Sequence, residues 1–146
     1  NNDTLESNNK KFNTKKQITK THKTRLTAAI QNLFKSDGAG RILCLHGDKI
    51  PSKELLKGTS TIIMGHEHPA VSIKDGPRAE LFKCFLIGKW KGKNLIVMPS
   101  FNLVTEGTDI LKEKVLSPFL KGGLRNFKVV VVGDKLYEFG NARDLE

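Results

Sequence analysis

The 146-residue sequence predicts a β-rich α/β layer structure in which strands outnumber helices. Three observations predict it. Short apolar runs, rich in β-branched and aromatic residues, recur from Arg41 onward. Two pairs of these runs are joined by short links containing glycine. Only one stretch, residues 24–34, repeats its apolar residues with helical spacing.

The elements follow in chain order. Residues 1–22 are polar, rich in Asn, Lys and Thr, and hold little that suits a core, so they read as a loop or a loosely held stretch. A helix is predicted over 24–34, with Leu26, Ala29, Ile30, Leu33 and Phe34 on one face, Thr24 as N-cap and Asp37-Gly38-Ala39-Gly40 as its stop. Residues 1–40 thus form a polar N-terminal segment with one helix, and residues 41–146 a second region of different texture. There Arg41-Ile42-Leu43-Cys44-Leu45 suits a buried strand, residues 52–57 a short helical turn, and Ser60-Thr61-Ile62-Ile63-Met64 a second buried strand. Further strands are expected at 70–73, 84–90, 95–99, 129–132 and 136–139. Lys91-Gly92-Lys93-Asn94 and Gly133-Asp134-Lys135 are the hairpin-like links.

Composition narrows the function classes. The formal charge is +10, and residues 1–38 hold eight Lys/Arg against three Asp/Glu, so the remainder carries about half of the excess rather than a basic tail carrying all of it. Such a balance attracts phosphate-bearing partners, although a solvated lysine-rich surface has the same charge. No run approaches the roughly 18 apolar residues of a membrane helix, and nothing resembles a secretion leader. Cys44 and Cys84 each sit inside an apolar run, as reduced, buried cysteines of a cytoplasmic protein do. The first residue is Asn1 rather than Met, which implies processing or a longer parent chain.

The histidines carry the chemistry. His46 and His66 each close an apolar run beside a glycine, and His68 follows two residues on. A side chain at the C-terminal end of a buried strand emerges at the sheet edge where open α/β sheets place their sites. Neutral imidazoles there suit Zn, Mn, Fe or Ni. His22 lacks this context and reads as an exposed loop residue.

Ile62-Ile63-Met64-Gly65-His66-Glu67-His68-Pro69-Ala70-Val71 resembles the last motif of calcineurin-like metallophosphoesterases, and Leu43-Cys44-Leu45-His46-Gly47-Asp48 resembles the histidine motif before it. Lys83-Cys84-Phe85-Leu86, Leu95 to Asn102 and Leu116-Ser117-Pro118-Phe119-Leu120 are similar to one branch. That branch is the predicted phosphoesterases of archaea and bacteria, related to exonuclease subunits of double-strand-break repair. The resemblance spans about residues 41–140. It implies the C-terminal half of a four-layer α/β/β/α sandwich and hydrolysis of phosphoesters, with phosphodiesters the expected class, at two divalent ions (Mn, Fe or Zn), and nucleic acid falls within that class.

In that family two ions share a bridging aspartate and a bridging water, which they activate while clamping the phosphate oxygens. By resemblance His46 and His66 would bind one ion and His68 the other. Asn1-Asn2-Asp3 aligns with the family's Gly-Asn-His-Asp/Glu motif, so Asn1 would be a further ligand. Asn2 would replace the catalytic histidine, and its amide does no acid chemistry. The family's opening Asp-x-His motif is not found in this sequence, and its Gly-Asp pairs, Gly47-Asp48 and Gly133-Asp134, come in the wrong order. The expectation is therefore at most one poorly held ion, little or no activity, and a sheet whose apolar edge is open. Part of a complete enzyme, the product of a decayed or split gene, and a binding module that has lost catalysis all fit such a chain; the missing Met favours the first. Two rivals come from other classes. Cys44, His46, His66, His68 and Cys84 form a ligand pool for a structural zinc site, although their spacing matches no standard finger. Trp90 between Lys89 and Lys91, with Lys121 to Arg125, offers a nucleic-acid-binding surface, if the tryptophan is not simply packed on the sheet.

Overall fold

The computed structural model describes residues 40–145. The helix expected over 24–34, the asparagines Asn1 and Asn2, and His22 lie outside the described residues.

The described chain is mostly strand with little helix. Eight strands are present: β1 Arg41–Leu45, β2 Thr59–Met64, β3 Pro69–Asp75, β4 Arg78–Trp90, β5 Lys93–Val97, β6 Thr108–Asp109, β7 Lys128–Val132 and β8 Leu136–Asn141. One helical turn, α1 (Lys53–Leu56), is capped by Ser52, whose hydroxyl accepts from the Leu55 amide. A short 3-10 turn, Ala142–Asp144, closes the chain. No helix among the described residues is long and apolar enough to cross a membrane.

The strands run in the order β1-β2-β5-β4-β3-β6, with β7 paired to β4 and β8 to β7. β1, β2 and β5 are mutually parallel; β4 lies antiparallel to β5 and β7. β4 is shared between two pairings. Its residues 78–83 pair with β3 and 84–90 with β5 and β7. The first of these stretches was not expected. Arg78-Ala79-Glu80-Leu81-Phe82-Lys83 has no continuous apolar run, because it is a half-exposed hairpin arm after the Gly76-Pro77 turn. Gly76 has φ +60 at the first central position, where a type II′ turn wants glycine. The β4–β5 link is tighter than expected. Only Lys91 (φ +46) and Gly92 (φ +78) lie between the paired Trp90 and Lys93, as in a type I′ turn. β6, two residues long, gave no pattern to read.

Alternation places one set of side chains on a single face: Ile62 and Met64 of β2, Leu95 and Val97 of β5, Leu86 and Cys84 of β4, Val129 and Val131 of β7. All are buried. Phe119, Leu120, Leu124 and Phe127 from the connection before β7 join them in one core. Gly88 admits the Phe127 ring there, since any Cβ at 88 would meet it. Burying each large side chain of this kind contributes about 1.5–3 kcal/mol. β1 departs from expectation. It forms as a strand, but Ile42 is 45% exposed and Cys44 is exposed. Ile42 and Cys44 lie on the face opposite the core, while Leu43 and Leu45, in register with Ile62 and Met64, are half-buried; among the described residues β1 has strand pairing on one side only. Cys84 is buried, and both cysteines are free.

Candidate functional site

Parallel pairing in register carries β1 and β2 to the same edge of the sheet: Leu45 opposes Met64, and each strand then runs into its histidine motif. The His46 carbonyl accepts from the amides of Gly65 (3.2 Å) and His66 (2.8 Å), stitching the two strand ends together. The imidazoles meet. His66 Nδ1 lies 2.9 Å from His46 Nε2, with ring centroids 4.7 Å apart and planes at 72°. At that distance the rings can hydrogen-bond, one nitrogen donating and the other accepting, with the roles set by their tautomers.

His68 does not join this pair in a group of three ligands among the described residues. It adopts φ +48, a left-handed conformation uncommon for a residue with a Cβ. The backbone around it holds that conformation. The His68 amide donates to the Gly65 carbonyl (3.4 Å), and the His68 carbonyl accepts from Thr108 (2.9 Å). Gly107, at φ +106, is required beside it because a Cβ there would collide with the His68 carbonyl. On the other side Met98 donates to the Met64 carbonyl (2.7 Å). The loop 99–107 therefore leaves and returns on either side of the Gly65–His68 turn. It presents Phe101 (74% exposed), Leu103 and Val104 to solvent, while Lys83 Nζ caps the Asn102 carbonyl.

Glu67, to which no role was expected to fall, is the most deeply buried carboxylate among the described residues, 1% exposed. Its carboxylate accepts from the amides of Leu116 (2.9 Å) and Ser117 (2.8 Å). The Ser117 hydroxyl in turn donates to the Gly47 carbonyl (2.7 Å). A charged residue between two histidines was a visible oddity, but nothing in the sequence pairs it with amides about fifty residues away.

Below the turn, β3 pairs with β6, and Asp109 is buried there. Burial pushes its carboxyl up, but hydrogen bonds from the Ser72 hydroxyl and the Leu111 amide, with the Lys112 ammonium 3.2 Å away, outweigh that and hold it below the usual carboxylate range. Burial, with a smaller contribution from the Asp109 charge, pushes the Cys84 thiol up to about 12. Such a thiol is not a ready metal ligand or nucleophile.

The chemistry this arrangement supports is limited. Two neutral imidazoles converging on one point fit two positions of a divalent ion's sphere; an ion there would displace the proton of that hydrogen bond, because each nitrogen must present its lone pair. A tightly held ion takes three or four protein ligands, and no group of three or more His, Cys, Asp or Glu side chains gathers among the described residues. Trp90, the aromatic of the nucleic-acid reading, packs on Phe119 (centroids 4.7 Å apart) with the Lys91 ammonium 4.9 Å above its ring. No protein-family model, curated protein or solved structure matches this chain.

Proposed function

We propose that residues 41–146 form the C-terminal half of a metallophosphoesterase sandwich and that the chain is a metal-dependent phosphoesterase, directed at phosphodiesters, with feeble activity in these 146 residues alone. The observation that supports this reading is the meeting of His46 and His66, 2.9 Å apart, at the ends of adjacent parallel strands. Structural histidines rarely need to face each other ring nitrogen to ring nitrogen at an open sheet edge; ligands to a shared ion do. Divalent ions such as Mn, Fe or Zn would supply the charge that activates water and steadies a phosphate's transition state. His46 and His66 would take one ion. His68 would serve another.

The weakness of the predicted activity follows from the ligand count. Two imidazoles hold an ion loosely, and this sequence contains no Asp-x-His to supply a bridging carboxylate. The test is hydrolysis of bis(p-nitrophenyl) phosphate with added Mn2+, alongside Mn2+ binding by the same protein. Ion binding that is lost in His66→Ala, with turnover near background, is the expected result. Brisk turnover that disappears in His66→Ala would overturn the claim of feeble activity. Binding that survives both His46→Ala and His66→Ala would remove the basis for the metal reading.

A further inference from the structure

We propose that Glu67 and Ser117 are positioning residues that hold His46 and His66 at ligand spacing, an inference whose functional meaning rests on the reading of that pair as metal ligands. The two histidine motifs are linked twice. The direct link is the His46 carbonyl, which accepts the His66 amide at 2.8 Å. The second passes through the connection before β7: the Glu67 carboxylate takes the Leu116 and Ser117 amides, and the Ser117 hydroxyl takes the Gly47 carbonyl. Gly47 follows His46 and Glu67 follows His66, so the two links close a ring that includes both imidazole-bearing residues. The side-chain bridge in that ring is buried: Glu67 at 1% exposure, Ser117 at 0%, and Gly47 with them.

The choice of groups argues for positioning rather than for ordinary packing. A carboxylate is costly to bury, and an apolar side chain would fill the same volume without that cost. What the carboxylate adds is directional: two charge-assisted hydrogen bonds that fix the 116–117 backbone. The Ser117 hydroxyl then passes that constraint to the turn carrying His46. Gly47 leaves no slack there: it sits at φ +103, and a Cβ at this position would meet the Met64 side chain. Glu67, though set between two histidines, has its carboxylate turned into the protein and committed to amides. It orients ligands and is not itself one.

The test uses the full chain and Co2+ alone as probe, with Ser117→Ala and Glu67→Gln as variants. Ser72→Ala serves as control, because it removes a hydroxyl hydrogen bond to Asp109 that is not part of the ring joining His46 and His66. Loss of outer-shell partners costs about tenfold to a hundredfold in metal affinity. Ser117→Ala and Glu67→Gln are therefore expected to weaken Co2+ binding about tenfold or more and to change the cobalt absorption spectrum, while Ser72→Ala does neither. Wild-type Co2+ affinity in both variants would overturn the positioning role and leave the metal reading intact. If the wild-type chain binds no Co2+, the metal reading falls and the positioning role is judged on the metal-free protein. There the ring-nitrogen NMR shifts of His46 and His66 should lose the signature of their hydrogen bond in Ser117→Ala but keep it in Ser72→Ala. Unchanged shifts in Ser117→Ala would overturn the proposal, and so would unfolding of both variants, which would assign the two residues to the core alone.

Discussion

β1 and β2 are parallel neighbours with nearly the same text, an apolar run that closes on a histidine beside a glycine, and they meet opposite fates. Ile62 and Met64 of β2 are sealed in the core, whereas their register partners on β1, Leu43 and Leu45, are only half-buried; on the other face Ile42 is 45% exposed and Cys44 lies open opposite Thr61 and Ile63. The difference is one of position. β2 is hydrogen-bonded on both sides, by β1 and β5, and its inner face meets the core cluster. β1 is paired on one side among the described residues. The lesson is that an apolar run reports the tendency to form a strand, while the number of neighbours decides how much of it is buried. Both strands still deliver their histidines to one edge, because parallel register does not depend on burial.

Four measurements break or sharpen that comparison. The largest expected effect is in the cysteines. With its thiol pushed up to about 12, Cys84 holds roughly a thousandfold less thiolate than an ordinary cysteine at neutral pH, and burial blocks reagents as well. A thiol reagent should therefore modify Cys44 within minutes and Cys84 only on unfolding. Equal rates would mean that the two strands are not as different as their exposure indicates.

Core truncation comes next. Ile62→Ala should cost about 3 kcal/mol in urea unfolding, while Ile42→Ala at the open strand should cost about 0.5 kcal/mol. Third, Gly107→Ala should cost about 2 kcal/mol, because it adds a Cβ at positive φ and drives it onto the His68 carbonyl. Gly58→Ala, also at positive φ but with open space around it, should cost about 1 kcal/mol. Equal losses would show that the tethering of the turn after β2 is unimportant.

The smallest effect is that of pH on Asp109. Its folded carboxyl is held below the ordinary range, so its contribution is fully present above the unfolded carboxylate's value and is lost as pH falls through the lower folded value. Asp109→Asn should flatten the acid limb of the stability curve at that end. An acid limb identical to wild type would assign acid sensitivity elsewhere.

Much of the fold was legible because local chemistry dictates it. The run at 60–64, the valine-rich run at 129–132 and the glycine links of two hairpins became the elements they suggested, and the run at 41–45 became a strand, though not the buried one it suggested. The first half of β4 was not legible, since its polar alternation looks like loop until the Gly76-Pro77 turn folds it against β3. For the site, the histidine motifs could be read as a pair ending two apolar runs. Glu67 and Ser117 could not, because the bond between them spans fifty residues of sequence and no local pattern encodes it.

By itself, then, the sequence determined which segments become strands, where the chain turns, and that His46 and His66 stand at strand ends. Those are consequences of side-chain alternation, β-branching and glycine's tolerance of positive φ, all of which act over a few residues. Tertiary structure alone decided that, among the described residues, β1 has a strand on one side and β2 on both, that Cys44 is exposed, and that a buried carboxylate ties the two histidine motifs together. Burial and long-range hydrogen bonds depend on which distant segments come to rest against each other, and that is settled only when the whole sheet has assembled.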